Sequence, residues 1–490
     1  MTTAEGPEVR TTAGPVRGRA EDGLAVFRGV PFADLPARFA APTPPETWDD
    51  VREVTAFGPP PPQSGVIGTD ALTADDTAWL SLNIWAPEAA EALPVLVWVQ
   101  GGGYVFGTSG LPEYDGARLA RGGVVVVTFN YRVGAEGFAL VPGTPPNRGL
   151  LDQVAALTWV RDNVASFGGD PSRVTVFGQS AGAGSIAALL AMPAARGLLR
   201  RAIVQSMPGV YHSSALAADV TRVLAASLGV APHELPTVPT DRLTAAGDRL
   251  LADLTPHADR WGQAAYGGAP FAPVVDGTVL PTTPWEALRS GVERDVDLVV
   301  GHTRHEQRLL SLMEGTLGQV TDEQATAALE RFAPGPDGVA AYRSGDEAAD
   351  TLHDRVRSDW LFRMPSLQLA EAHSGTTYLY ELTWPAPGMG GLLGACHGLD
   401  VPLAFGTLTE GQPAMLVADD VATAEVVSAQ LRSAWTAFAT HGDPGWPAYD
   451  AEQRLTRLFD VEPTVAAYPE EDSRRIWSDH TFDALPLLAT

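Results

Sequence analysis

Lysine is absent from this chain of 490 residues: all 33 of its basic side chains are arginines. That absence removes a Schiff-base or cofactor-anchoring amine, the P-loop lysine that holds a phosphate and the Ser-x-x-Lys acylation pair. A nucleophile in this chain needs some other base. Cysteine occurs once, at Cys396, which excludes an intrachain disulfide, a Cys-x-x-Cys redox pair and a cysteine-rich zinc cluster. A single thiol suits a cytoplasmic location. Long apolar runs are also missing, since Leu93 to Val99 and Val124 to Val127 fall well short of the roughly 20 residues that a membrane span requires. The first thirty residues carry no apolar stretch behind basic residues, so no targeting segment is expected and the mature chain is read as starting near Met1.

Positive charge is scarce. The net charge is −26, yet charged residues make up only 19% of the chain, below the roughly 25% of an average domain. The imbalance therefore reflects missing bases more than surplus acids. A field of this sign disfavours nucleic acid and anionic membrane surfaces and keeps the chain dissolved. Halophilic adaptation is the rival account of acidity without lysine, but a bias towards Ala, Gly, Pro and Arg accounts for the ordinary acid content.

What is present is a repeated alternation. Short β-branched or apolar runs, each followed by a longer stretch at helical spacing, predict a mostly parallel sheet covered on both faces. The strands expected are Pro94 to Val99, Val124 to Phe129, Arg173 to Phe177, Ala202 to Gln205, Asp297 to Val300 and Thr377 to Leu382. Between the second and third, Leu151, Val154, Ala155, Leu157, Val160 and Val164 form an apolar stripe that predicts a helix over 150–167. Two Ala-, Leu- and Asp-rich stretches, roughly 210–265 and 309–368, interrupt the series and read as helices inserted over one end of the sheet. The proline-rich stretch 42–62 holds Trp48 and Phe57 and reads as an ordered loop against the core. No repeat or charge block marks a boundary, so 1–490 is read as one α/β domain.

The most informative segment runs from Arg173 through Gly178-Gln179-Ser180-Ala181-Gly182 into the small-residue run Ala183 to Met192. A strand, a G-x-S-x-G turn and a helix in that order form the setting in which a serine becomes an exposed nucleophile. The glycines are required because side chains at 178 and 182 would collide with the neighbouring strand and helix, while the serine takes a strained conformation. With no lysine to activate Ser180, histidine is the expected base. Ten histidines compete. His212, His233, His257, His353, His373, His441 and His480 sit among polar residues and read as solvated positions. His397 lies in the glycine-flanked loop Gly394-Ala-Cys-His-Gly-Leu-Asp400 after the last predicted strong strand, consistent with the chain order Ser, acid, His of an α/β-hydrolase. The acid is expected at Glu306, placed in a loop five residues beyond Gly301 on the same sheet edge as the serine. Asp276 and Asp297 are rivals by order, but the first reads as a turn and the second opens its strand at the far end.

Two further clusters have competing readings. His302, His305 and Glu306 resemble a small ligand set, but the order and spacing differ from H-E-x-x-H, so no metal is expected. Gln100-Gly101-Gly102-Gly103 follows a predicted strand and suits a loop of backbone donors for a developing oxyanion. It lacks the spacing of a phosphate cradle.

The sequence resembles the type B carboxylesterases, the family that includes cholinesterases and bacterial para-nitrobenzyl esterases. The resemblance spans nearly the whole chain: Phe27-Arg-Gly-Val-Pro-Phe32, Leu82-Asn-Ile-Trp85, Asn147-x-Gly-Leu-x-Asp-Gln153, Phe167-Gly-Gly-Asp-Pro171, the elbow at Ser180, Gln205-Ser206, Pro273-Val-Val-Asp-Gly277, His397-Gly-x-Asp400 and Trp446-Pro-Ala-Tyr449. It implies an α/β-hydrolase fold, a nucleophile at Ser180, an acid at Glu306, a base at His397 and oxyanion N–H groups at Gly102, Gly103 and Ala181. It implies no cofactor and no metal. Gln100 stands where many members have histidine, and Trp79 where many have a half-cystine, as a bacterial, intracellular member would. The segment 31–39 is shorter than the usual loop near the gorge. The expected activity is hydrolysis of small or medium carboxylic esters through an acyl-serine. The alternatives are the same chemistry on carbamates or amides, acyl transfer to an alcohol, and a non-catalytic interaction protein. The expected partner is a small-molecule ester, with no nucleic acid and no membrane, and the chain is expected as a monomer or small homo-oligomer.

Overall fold

The computed structural model describes residues 6–63, 78–418 and 420–488. Its centre is an 11-stranded sheet. In chain order the strands are β1 (Arg19–Glu21), β2 (Leu24–Pro31), β3 (Ser81–Pro87), β4 (Leu93–Val99), β5 (Val125–Phe129), β6 (Gly169–Gln179), β7 (Arg201–Gln205), β8 (Asp297–Thr303), β9 (Thr377–Leu382), β10 (Leu455–Phe459) and β11 (Thr464–Ala467). Across the sheet they run β11-β10-β9-β8-β7-β6-β4-β5-β3-β2-β1. The seven from β10 to β5 are parallel, and the antiparallel pairs lie at the two margins.

Successive side chains of a strand face opposite sides, and here both sides are apolar. Val95, Val97 and Val99 join one buried cluster with Val174, Val176 and Val204, while Leu96 and Trp98 join the other with Phe177, Ile203 and Tyr380. A sheet buried on both faces reads as a continuous apolar run rather than an alternation, and this made its centre legible. All six predicted strands are present; the third extends to Gly169–Gln179 and the fifth to Thr303. Strands β1, β2, β3, β10 and β11 were not expected. Buried Asn83 interrupts the apolar run of β3; its amide accepts from Gly29 N (3.0 Å) and donates to Ser109 (3.1 Å) and Thr128 (3.0 Å).

The helix predicted at 150–167 is α1 (Arg148–Asn163), followed by a 3₁₀ turn over Val164–Phe167. After β6 comes α2 (Ala181–Ala191), and after β8 comes α3 (Glu306–Met313). Residues 210–265 contain Ser214–Leu228 and Thr240–Ala252, preceded by a two-residue strand at His212–Ser213. Residues 309–368 contain Asp322–Phe332 and Ala349–Ser358, and a π-helical turn, Asp359–Arg363, joins the latter to Met364–Ala372. Among the described residues no helix is long and apolar enough to cross a membrane.

Three of the histidines read as solvated are buried: His212 is 1% exposed, and His353 and His373 are each 8% exposed. His212, for instance, faces inward from its short strand with Nε2 3.1 Å from the carbonyl oxygen of Ala269.

Candidate active site

β6 ends at Gln179 and α2 begins at Ala181, so the chain turns on Ser180 alone. That residue has φ 58° and ψ −127°, outside the basins open to ordinary L-residues. Its glycine neighbours are there for space. A Cβ at Gly178 would lie 2.7 Å from the Val99 carbonyl oxygen, and one at Gly182 would run into that same oxygen. Gly184 is similarly closed off, by the hydroxyl of Tyr104. The positive end of α2 starts directly behind the serine, where it favours negative charge.

The ends of three neighbouring strands bring the other groups alongside. Ser180 N donates to Gln205 O (2.9 Å), and Ser206 N donates to Gly301 O (2.8 Å). Glu306 was expected in a loop; instead it is the first residue of α3, three positions past the end of β8. Its Oε1 accepts from Ser206 Oγ (2.6 Å) and Thr303 N (2.7 Å), and its Oε2 lies 2.5 Å from Nδ1 of His397. Glu306 is fully buried. Burial alone would raise its pKa, but His397 and the bonds from Ser206 and Thr303 together hold the carboxyl below its ordinary range. With Nδ1–H donating to a carboxylate, the imidazole keeps its lone pair on Nε2.

His397 sits in a loop that turns at Gly394 (φ 58°) and Gly398 (φ 77°). Asp400, which opens the helix Asp400–Phe405, anchors that loop by accepting from Gln205 Nε2 (2.9 Å) and Tyr380 OH (3.0 Å). Burial pushes the Asp400 carboxyl up to about 6. Among the described residues no hydrogen bond joins Ser180 Oγ to His397, while the preceding residue, Gln179, does reach the ring. The structure thus couples Glu306 to His397 directly and sets Ser180 at the end of β6, two strands over from β8.

The glycine loop lies against the elbow, since a Cβ at Gly101 would be 3.2 Å from Cβ of Ser180. Gly102 and Gly103 have φ of 111° and 59°. Among the described residues, the backbone N–H groups of Gly102, Gly103 and Ala181 donate to no other group. Gln100 contributes its carbonyl oxygen to Tyr131 OH (2.8 Å), and its fully buried side-chain amide has no partner among the described residues.

The rival acids are elsewhere. Asp276 accepts from Asn147 (2.8 Å), and Asp297 faces Arg200 (3.2 Å) at the opposite end of β8. His302 lies on β8 rather than on a helix, with Nε2 2.9 Å from Tyr468 OH. His305 accepts at Nδ1 from Ala395 N (3.2 Å), while its own N donates to Ala395 O (2.8 Å), tying the end of β8 to the His397 loop. Burial holds both imidazoles down to about 4. Cys396 is buried, and that burial pushes its thiol up to about 12. Trp79 is 2% exposed in the core.

Sequence reasoning missed the supporting groups. Ser206 appeared only as part of a resemblance, and Phe362, whose ring stacks on His397 with centroids 4.1 Å apart, carried no signal at all. The feature that places Phe362, a π-helical turn, has no short sequence signature.

The carboxylesterase family model matches residues 5–477. The para-nitrobenzyl esterase of Bacillus subtilis (strain 168) is 35% identical over 95% of this chain and 97% of its own length. A phenmedipham hydrolase of Pseudarthrobacter oxydans is 36% identical over 91% and 93%. Among solved structures, a carboxylesterase of Geobacillus stearothermophilus superposes with a TM-score of 0.84 at 33% identity, covering 96% of this chain and 99% of that one. The chain belongs to the carboxylesterase family, of type B, within the α/β-hydrolases. It is a carboxylic-ester hydrolase, and its substrate is a small-molecule ester.

Proposed function

We propose that Ser180 is the nucleophile, His397 the general base and Glu306 the acid that orients it. Ser180 Oγ attacks the ester carbonyl carbon while His397 Nε2 takes the hydroxyl proton. Glu306 keeps Nδ1–H pointed at itself and stabilises the imidazolium. The negative charge on the carbonyl oxygen is received by the N–H groups of Gly102, Gly103 and Ala181. The ester C–O bond then breaks, and the leaving alcohol takes the proton from His397. Water, deprotonated by the same imidazole, attacks the acyl-serine and releases the carboxylic acid.

The observation that carries this reading is the 2.5 Å contact between His397 Nδ1 and Glu306 Oε2, because it selects the tautomer that a general base needs. The unengaged glycine N–H groups and the strained Ser180 support it. A second reading, the same acyl-serine chemistry on carbamates or amides or transfer to an acceptor alcohol, is favoured by the relative named for phenmedipham hydrolysis. The chain is read as one domain over 1–490 that works without a cofactor. Its net negative charge and single cysteine support a cytoplasmic location with no nucleic-acid or membrane partner, and the chain is read as a monomer or small homo-oligomer.

The test is a panel of short and medium p-nitrophenyl acyl esters beside a matched amide and carbamate, run on wild type and Ser180→Ala. Ester turnover that vanishes in the variant is expected. Faster turnover of the carbamate would favour the second reading, and an active Ser180→Ala would overturn the site assignment.

A further inference from the structure

Both faces of the candidate base are covered. On one, the ring of Phe362 stacks at 26° to the imidazole. On the other lies the side-chain amide of Gln179, whose Nε2 is 3.0 Å from Nε2 and 3.4 Å from Nδ1 of His397. A nitrogen that close to both ring nitrogens cannot lie in the ring plane, where it would overlap the carbon between them. It sits over the face, and Phe362 already fills the other. The amide therefore does not take the in-plane lone pair on Nε2, which stays directed outward at the ring edge.

Both covering residues are themselves held. Gln179 is 6% exposed and Phe362 is 3% exposed. The Gln179 amide has room because of a glycine: a Cβ on Gly101 would come 3.2 Å from its Oε1. Phe362 lies in the π-helical turn Asp359–Arg363, where Asp359 faces Arg363 (2.8 Å) and accepts from Tyr342 OH (2.6 Å). The residue before the turn, Ser358, accepts at Oγ from Gln307 N (3.0 Å), the residue after Glu306. One rigid unit thus fixes the helix that carries the acid and the ring that covers the base.

We propose that Gln179 and Phe362 are positioning residues that clamp the His397 imidazole between an amide and an aromatic face, so that the ring keeps its Nε2 edge turned to Ser180. This rests on the roles proposed above for Ser180 and His397. The side chain that lies against the ring at 179 is charge-neutral. A carboxylate there would lie against the ring, favour its protonated form and remove the base over a wider range of acid pH. The apolar face of Phe362 holds the ring without competing for either nitrogen.

The test measures kcat, KM and the pH dependence of kcat/KM on p-nitrophenyl acetate, per titrated site, for wild type, Gln179→Glu, Gln179→Met and Phe362→Leu, with Ser180→Ala as control. In Gln179→Glu the acid limb is expected to move up by about one pH unit. In Gln179→Met the limb is expected to stay, with kcat down about tenfold, and Phe362→Leu is expected to lower kcat about tenfold with KM within about twofold. An unmoved acid limb in Gln179→Glu, or effects on KM alone in the other two, would overturn the clamp. An active Ser180→Ala would instead overturn the reading beneath it.

Discussion

Ser206 donates its hydroxyl to Glu306 across 2.6 Å from a backbone held at φ 54°. It stands at the end of β7, one strand over from Ser180, so two serines with left-handed φ flank the same site in different capacities. The first stands at the turn between β6 and α2, and the second keeps a buried carboxylate satisfied.

Replacing Ser206 with Ala leaves Glu306 Oε1 with only Thr303 N, and losing a hydrogen bond to a charged group costs about 1.5–3 kcal/mol. The Ser206 bond helps to keep the Glu306 carboxyl depressed, so its loss raises that pKa. Ser206→Ala is expected to lower kcat about tenfold and to move the acid limb of kcat/KM to higher pH. A pH–rate profile checks both, and an unchanged profile would contradict the role.

Glu306→Gln keeps the size but removes the charge and disturbs the tautomer. Loss of about 10³–10⁴ in kcat is expected, by analogy with serine-protease triads. Asp276→Asn and Asp297→Asn, away from the site, are expected to retain wild-type kcat. The three steady-state assays side by side decide between the acids.

The glycine loop provides a contrast. A Cβ at Gly102 would run into the carbonyl oxygen of Phe106, whereas one at Gly103 would meet only Val105 Cγ2 at 3.8 Å. Gly102→Ala must therefore distort the glycine loop, and if its N–H groups receive the oxyanion as proposed, about 10²–10³ is lost in kcat. Gly103→Ala carries only the left-handed strain of about 1–2 kcal/mol and is expected to keep far more activity. Equal activities in the two would contradict the geometry.

How much of this was legible in the sequence depended on the physics of each part. Strand β4 was readable because both its faces are buried, and Gly178 and Gly182 because a tight turn leaves only glycine room. His397 stood out because lysine is missing and the order Ser, acid, His leaves few candidates. Ser206, Phe362 and the burial of His212 were not readable, because each depends on which residues tertiary packing brings together. The position of Glu306 was only partly legible: its strand was clear, but no residue before it marks the start of α3 there.

The buried histidines imply a stability that depends on pH. Burial holds His212 and His302 down to about 4 from an ordinary 6.5. Their folded values lie below the unfolded one, so their contribution is fully present above about pH 6.5 and is lost as pH falls towards 4. Buried Asp354 and Asp400, each raised to about 6, act in the opposite sense, so single variants separate the effects. In His212→Asn the drop in urea midpoint between pH 7 and pH 5 is expected to be smaller than in wild type; an equal drop would contradict this.

The most direct test of the central claim is covalent. Wild-type enzyme is titrated with a serine-directed phosphonate ester, and the labelled peptide is mapped by mass spectrometry. One label per chain on Ser180, with esterase activity falling in proportion and Ser180→Ala left unlabelled, is the predicted result. A stoichiometric label on another residue, or full esterase activity after Ser180 is occupied, would contradict it.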